Sequence, residues 1–164
     1  MPTSFSTIDP KVFWRILGMR AIGGAVVTAR GPDGDAGFLA LSVTHLTQNP
    51  PTLMLSIGKS TSALSAVRAS GHFAVNYLPS SFSGLADVFG GRTALKGSDR
   101  FADGQWHQLL TGAPILRGAI GAMECRVVEE IERYDSVIVI GEIVNWTFDE
   151  GSRPLIYFSG RTLD

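Results

Sequence analysis

The sequence is poor in cysteine, in charge and in long apolar runs. Its 164 residues include one cysteine, Cys125. No intrachain disulfide is possible, and a reducing, cytoplasmic setting is expected. Charged residues make up 18% of the chain against 45% hydrophobic. So lean a surface predicts burial in an oligomer or around a large ligand. Lysine and arginine total 14 against 15 acids, which excludes the basic footprint of a nucleic-acid binder. No run approaches the roughly 20 apolar residues of a membrane helix. Residues 1–9 lack the basic start and apolar centre of a signal peptide. A single domain over 1–164 is expected, with 1–8 as a flexible N-terminus. The sequon Asn145-Trp146-Thr147 carries no weight without a secretion signal.

Chemistry-bearing motifs are also scarce. There is no Gly-x-Ser-x-Gly elbow and no His-Glu-x-x-His. Gly91-Arg92-Thr93 fails as a phosphate loop, because Ala86 stands where the first glycine belongs and Arg92 where lysine belongs. No Gly-x-Gly-x-x-Gly follows a strand, so a nicotinamide cofactor would bind without a Rossmann domain. His45, His72 and His107 do not form a metal set by spacing. His72 opens a strand and reads as structural. Cys125 sits mid-strand among apolar neighbours and reads as an inert thiol. Glu132 and Asp135 read as solvated turn acids.

What the chain does contain is a strong strand pattern. Asp9-Pro10 opens a helix over 10–19, with Val12, Phe13, Ile16 and Leu17 on one face. Strands are expected at 25–29, 37–42, 52–57, 72–78, 121–131, 136–148 and 154–159. Helices are expected at 60–70 and 81–89, the first terminated by Gly71. Residues 90–112 lack a period and are too long for a plain connection, which predicts a binding loop or lid. Seven strands and two or three short helices make a mainly β, antiparallel barrel with helical additions.

The run 37–57 stands out. It begins with small strand residues, turns polar through Ser42, Thr44, His45, Thr47 and Gln48, and meets the stiff corner Asn49-Pro50-Pro51 before a second apolar strand. A polar connection between two buried strands is a natural binding place. His45 either satisfies the turn or touches a ligand edge. Lys59-Ser60-Thr61-Ser62 follows a strand and opens a helix. That arrangement serves either as helix capping or as a phosphate cradle of backbone N–H groups, hydroxyls and one ammonium. Arg92 and Arg100 lie on the loop that could close over the same anion.

Several pieces, in order, resemble the flavin reductase-like family, whose fold is the FMN-binding split barrel, an antiparallel Greek-key barrel with a few short helices. They are Gly24-Ala25-Val26-Val27-Thr28, the run from Gly37-Phe38 to Asn49-Pro50-Pro51, His72-Phe73-Ala74-Val75-Asn76, Asp99-Arg100-Phe101, Gly112-Ala113-Pro114-Ile115-Leu116 and Leu155-Ile156-Tyr157-Phe158-Ser159-Gly160-Arg161. The resemblance implies a homodimer that binds FMN, or FAD, at the subunit interface. It implies isoalloxazine contacts at Ala40, Leu41, Ser42 and Val43, with phosphate contacts at Thr47, Lys59, Ser60 and Thr61. Arg100 and Phe101 would flank the flavin. Leu39 and Leu41 stand where Thr and Asn or Ser are frequent, which leaves backbone contacts to the flavin. His45, where a small Ser is usual, would restore one polar contact. Tyr134-Asp135 occupies the turn where members often carry a histidine near nicotinamide.

The implied activity is hydride transfer from NADH or NADPH to the flavin, with reduced flavin leaving for a separate flavin-dependent oxygenase. The cofactor performs such chemistry and the protein aligns two rings, consistent with the missing triad and metal motifs. A non-catalytic flavin- or haem-binding module and a flavin-retaining oxidase remain the alternatives on the same barrel.

Overall fold

The computed structural model describes residues 7–101 and 104–163. The expected flexible stretch 1–8 therefore falls almost wholly outside the described residues. Helix α1 (Pro10–Leu17) forms as the sequence predicts. The Asp9 carboxylate accepts from the Lys11 N–H at 2.8 Å, and Pro10 takes the first helical position. Gly18 ends the helix, two residues short of the expected boundary. Its apolar face exists, yet no residue of α1 is buried.

The strands are β1 (Ile22–Gly23), β2 (Ala25–Gly31), β3 (Gly34–Ala40), β4 (Thr44–Gln48), β5 (Pro51–Gly58), β6 (His72–Tyr77), β7 (Trp106–Gln108), β8 (Pro114–Leu116), β9 (Gly121–Arg133), β10 (Ser136–Phe148), β11 (Ile156–Phe158) and β12 (Arg161–Leu163). Helices α2 (Ser62–Ser70) and α3 (Ser83–Phe89) interrupt them. All paired strands run antiparallel, so the mainly β, antiparallel class holds. The strand count does not: twelve are described where the pattern predicts seven. The extra ones are short (β1, β7, β8, β12) or, like β4, too polar to show a buried face. The predicted polar connection after β3 is itself the edge strand β4, with every residue exposed. The Asn49–Pro50 peptide in the corner that follows is cis.

Seven strands form one sheet in the order β3-β2-β6-β9-β10-β5-β4. Strands β3 and β4 are its two edges, yet only residues 41–43 separate them in sequence. Four Cα steps reach at most ~14 Å. Laid flat, the seven strands would place the edges about 29 Å apart. The sheet must therefore curl until its edges nearly meet. They do not pair with each other, so the barrel closes with a seam.

The core fills the curl. Leu55, Ile57, Phe73, Val75, Val137 and Val139 are all buried. A Cβ added at Gly141 would lie 2.5 Å from the Phe73 ring and 3.0 Å from the Cys125 Cβ. Glycine is thus required where β10 departs from regular register between Ile140 and Gly141. Two buried polar side chains hold the segment around β7 and β8 on the barrel. Asn76 donates to the carbonyls of Val26 (3.2 Å) and Pro114 (3.3 Å) and accepts from the Leu116 N–H at 2.8 Å. Glu124, only 1% exposed, accepts from the Leu110 and Thr111 N–H groups, the Thr111 hydroxyl and the Asn145 amide at 2.7–2.9 Å.

Burial of Glu124 acts to raise its carboxyl pKa, but the bonds from Asn145, Thr111 and Leu110 together outweigh it and leave the group below its ordinary value. A depressed folded-state pKa contributes stability that is fully present above the ordinary 4.5 and is lost as pH falls through the folded value. Glu124→Gln should cost on the order of 3 kcal/mol at neutral pH, because donors are left facing a donor. In urea unfolding the gap between wild type and variant should stay constant at neutral pH and narrow only in acid below the ordinary carboxyl value.

Candidate functional site

The seam opens into a cavity of about 610 Å³, within the roughly 300–1,000 Å³ of small-molecule sites. One wall belongs to the large sheet: Phe38, Leu39 and Ala40 at the end of β3, Leu41 and Ser42 in the crossing, Ser56 and Gly58 on β5, and Ser136 at the start of β10. These last positions adjoin because Ser136 pairs with Gly58 in the ladder. The other wall comes from the two ends of the chain. Trp14, Leu17, Gly18, Arg20 and Ile22 line it from α1, the turn after it and β1, and Tyr157, Phe158, Ser159 and Gly160 from β11 and its turn. Strand β1 pairs with β11, and the Ser159 N–H donates to the Gly18 carbonyl at 2.6 Å, so the terminal wall is one tied unit.

The predicted residues divide into groups. Ala40, Leu41, Ser42 and Arg92 line the cavity. Ala40 is buried, whereas Ser42 is exposed. The Ser42 hydroxyl spans the seam to the backbone of Ser56, accepting from its N–H at 3.2 Å and lying 3.4 Å from its carbonyl. Arg92 pairs with Asp87 at 3.1 Å, both largely exposed. Val43, His45 and Thr47 continue away from the cavity into β4. His45 is exposed, and the Thr47 hydroxyl accepts from the Asn49 N–H at 3.2 Å.

Lys59, Ser60 and Thr61 follow Gly58 directly and lead into α2. Thr61 donates to the Gly58 carbonyl at 2.9 Å and makes no side-chain cap on the helix. The capping role that competes with phosphate binding is therefore not taken by Thr61. The Lys59 ammonium meets the Glu132 carboxylate at 2.9 Å. Hydrogen bonds from Lys59 and then Arg68 hold that carboxyl below its ordinary pKa.

The structure does not bring Arg100 and Phe101 to the cavity. An Arg100 Nη donates to the Gly37 carbonyl at 3.2 Å. The Phe101 ring packs edge-on to Phe89 (5.1 Å) and tilted on Trp106 (5.0 Å). Loop 90–101 is thus pinned to β3 through a short helical turn (Gly97–Arg100). Tyr134 is 97% exposed with a φ of 53° and lies outside the cavity lining. Asp135 accepts the Lys59 N–H at its carbonyl, at 2.8 Å, so the turn expected near nicotinamide sits beside the residues expected near phosphate.

Sequence reasoning missed the terminal wall. Leu17 was legible as part of an apolar helix face with Val12, Phe13 and Ile16, but not as a face left uncovered, and Trp14 was not singled out. Arg20, Ser56 and Ser136 gave no signal. Tyr157 is nearly buried there, and burial pushes its phenol pKa up, Arg92 acting against and Asp87 with that shift. Cys125 is buried with its thiol pushed up to about 12 by burial and by Glu124, so it is no nucleophile. The His72 Nδ1 lies 2.8 Å from the Ser70 carbonyl, a structural role as expected. Among the described residues no group of three His, Cys, Asp or Glu side chains could hold a metal, and no helix is long and apolar enough to cross a membrane.

The relatives share this architecture. An NADH-dependent FMN reductase, RutF, from Ancylobacter novellus is 45% identical over 145 residues, covering 87% of this chain and 79% of that protein. The NADH:FAD oxidoreductase SgcE6 of Streptomyces globisporus C-1027, solved with NAD and FAD fragments, superposes with a TM-score of 0.84 at 27% identity, over 98% of this chain and 96% of that one. Nitrilotriacetate monooxygenase component B from Mycobacterium thermoresistibile superposes with a TM-score of 0.84 at 26% identity, over 93% of this chain and 84% of that one. Residues 20–163 match the flavin reductase like domain, and with that span, these relatives and the split, seamed barrel, the chain belongs to the flavin reductase-like domain family.

Proposed function

We propose that this protein is an NADH-dependent FMN reductase that supplies reduced flavin to a separate monooxygenase. The carrying observation is the seam. At Ala40, Leu41 and Ser42 an unpaired sheet edge borders a cavity whose other wall is largely apolar. Edge backbone offers alternating N–H donors and C=O acceptors in one line. That is the pattern needed by the imide edge of an isoalloxazine, and small side chains let the ring approach. Leu39 and Leu41 contribute no polar atom, so the backbone does the recognising. From Gly58 the chain runs straight to Lys59, Ser60 and Thr61, which suits a phosphate on a short chain leaving the ring. His45 and Thr47 face Leu53 and Thr52, toward the other end of β5, and do not border that route. In this reading Arg100 and Phe101 act indirectly, by fixing β3 at Gly37, and Arg92 lies close enough to meet an anion.

Bound FMN supplies the hydride acceptor for NADH. The protein's own work is to present the two rings at about 3–3.5 Å in parallel and to keep water from between them. Tyr157 and Phe158 serve that exclusion from the terminal wall. FAD is accommodated if its adenylate extends past the open rim. The charge-lean surface also fits a homodimer. A second, almost wholly apolar groove of about 560 Å³ lies along β9 and β10, with Trp146 and Phe148 64% and 70% exposed. We assign this face to the second subunit.

Four outcomes test this reading. Purified protein should oxidise NADH steadily with excess FMN, followed by loss of NADH absorbance. Bound flavin without NADH consumption would sink the reductase assignment. Lys59→Ala should raise the FMN Kd roughly tenfold, the loss of one charge-assisted contact of about 1.4 kcal/mol, with riboflavin affinity unchanged. Glu132→Gln, by freeing Lys59, should tighten FMN about twofold to threefold and leave riboflavin alone. Equal effects on both ligands would contradict a phosphate role. Phe148→Asp should shift the mass measured by light scattering from two chains to one. A wild type of single-chain mass would remove the dimer.

A further inference from the structure

We propose that α1 and the turn after it carry the reductant subsite, with Trp14 stacking on the nicotinamide ring of NADH and Arg20 holding its pyrophosphate. The inference rests on the reductase reading and adds to it two residues that it does not use. Trp14 is 67% exposed on a helix with no buried residue, an unusual position for a large aromatic unless a flat partner covers it. It is not on a loose tail. Pairing of β1 with β11 and the 2.6 Å bond from Ser159 to Gly18 fix the helix end. Trp14 and Leu17 are three residues apart, so they share one helix face, and both line the cavity.

The cavity has two unlike walls. The sheet wall offers backbone edge and hydroxyls, which suit the flavin. The terminal wall offers an indole and a guanidinium, which suit a second ring with a phosphate chain. Arg20 lines the cavity and has no carboxylate partner among the described residues, whereas Arg92 is paired with Asp87. A guanidinium matches a pyrophosphate through two parallel N–H bonds. The turn expected to meet nicotinamide offers neither group: the Tyr134 ring stands in solvent outside the cavity, and Asp135 would repel the phosphates.

The test uses FMN-saturated protein with two reductants, NADH and 1-benzyl-1,4-dihydronicotinamide, which has the ring but no phosphate. Trp14→Ala should lower kcat/KM about tenfold for both, and Trp14→Phe should recover most of it. Arg20→Ala should lower kcat/KM about tenfold for NADH and less than twofold for the phosphate-free compound. The FMN Kd, read by flavin fluorescence, should stay within twofold in every variant. The subsite is overturned by equal loss with both reductants in Arg20→Ala, by a raised FMN Kd with NADH kinetics intact, or by a change of chain mass in Trp14→Ala, which would make the helix face a subunit contact. Unaffected variants of an active wild type overturn the subsite alone. A wild type that consumes no NADH overturns the reductase reading and the subsite with it.

Discussion

Three residues, Leu41, Ser42 and Val43, carry the chain from one edge of a seven-stranded sheet to the other, and most of the structure follows from that short reach. A flat sheet cannot satisfy it, so the sheet curls. A curled sheet needs an interior of matched size, which Phe73 provides by resting where a side chain at Gly141 would stand. Curling brings the edges near each other without pairing them, so a line of backbone groups stays open beside the crossing. The Ser42 hydroxyl bridges that opening to Ser56, and the cavity lies alongside. Fold and site thus share one cause.

The second requirement is that irregular chain around the site stays in place. Buried polar side chains do this, foremost Asn76 and Glu124, whose polar atoms bind backbone and side-chain partners. Asn76 and Glu124 bind backbone of the segment around β7 and β8 from neighbouring strands of the same sheet. Arg100 and Phe101 fasten loop 90–101 to β3 at Gly37. A buried carboxylate with four donors costs little as long as all four stay, and much if one leaves. These anchors hold the chain on the barrel without placing Arg100 and Phe101 in the cavity.

The long elements were legible in the sequence because their physics is local. Proline after a capping acid starts α1, Gly71 in the left-handed region ends α2, and apolar runs mark β5, β6, β9 and β10. The family was legible for a different reason, the order of several weak motifs. What could not be read was set by distant contacts. Strand β4 has no buried face to signal it, since its residues are all exposed. Strand β7 exists because β8 pairs with it. The terminal wall exists because β1 meets β11, about 130 residues apart in the chain. Lys59, Ser60 and Thr61 were readable as a cluster, but the Glu132 carboxylate that engages the lysine lies on another strand and carries no local mark.

The polarity of the crossing bears on how tightly a flavin would be held. Leu39 and Leu41 offer only apolar surface, and the hydroxyl of Ser42 is already engaged with Ser56. A flavin at this seam would meet backbone groups that stay put and few side chains that close on it. Fixed donors favour orientation, while the absence of enclosing polar side chains limits affinity. The Lys59–Glu132 pair would act in the same direction, because a phosphate bound there would have to displace an existing carboxylate. A reductase that hands its product to another enzyme needs a site that orients strongly and holds moderately. The seam would meet both conditions with the same residues, since Leu39 and Leu41 leave backbone donors and acceptors as the polar groups of that edge.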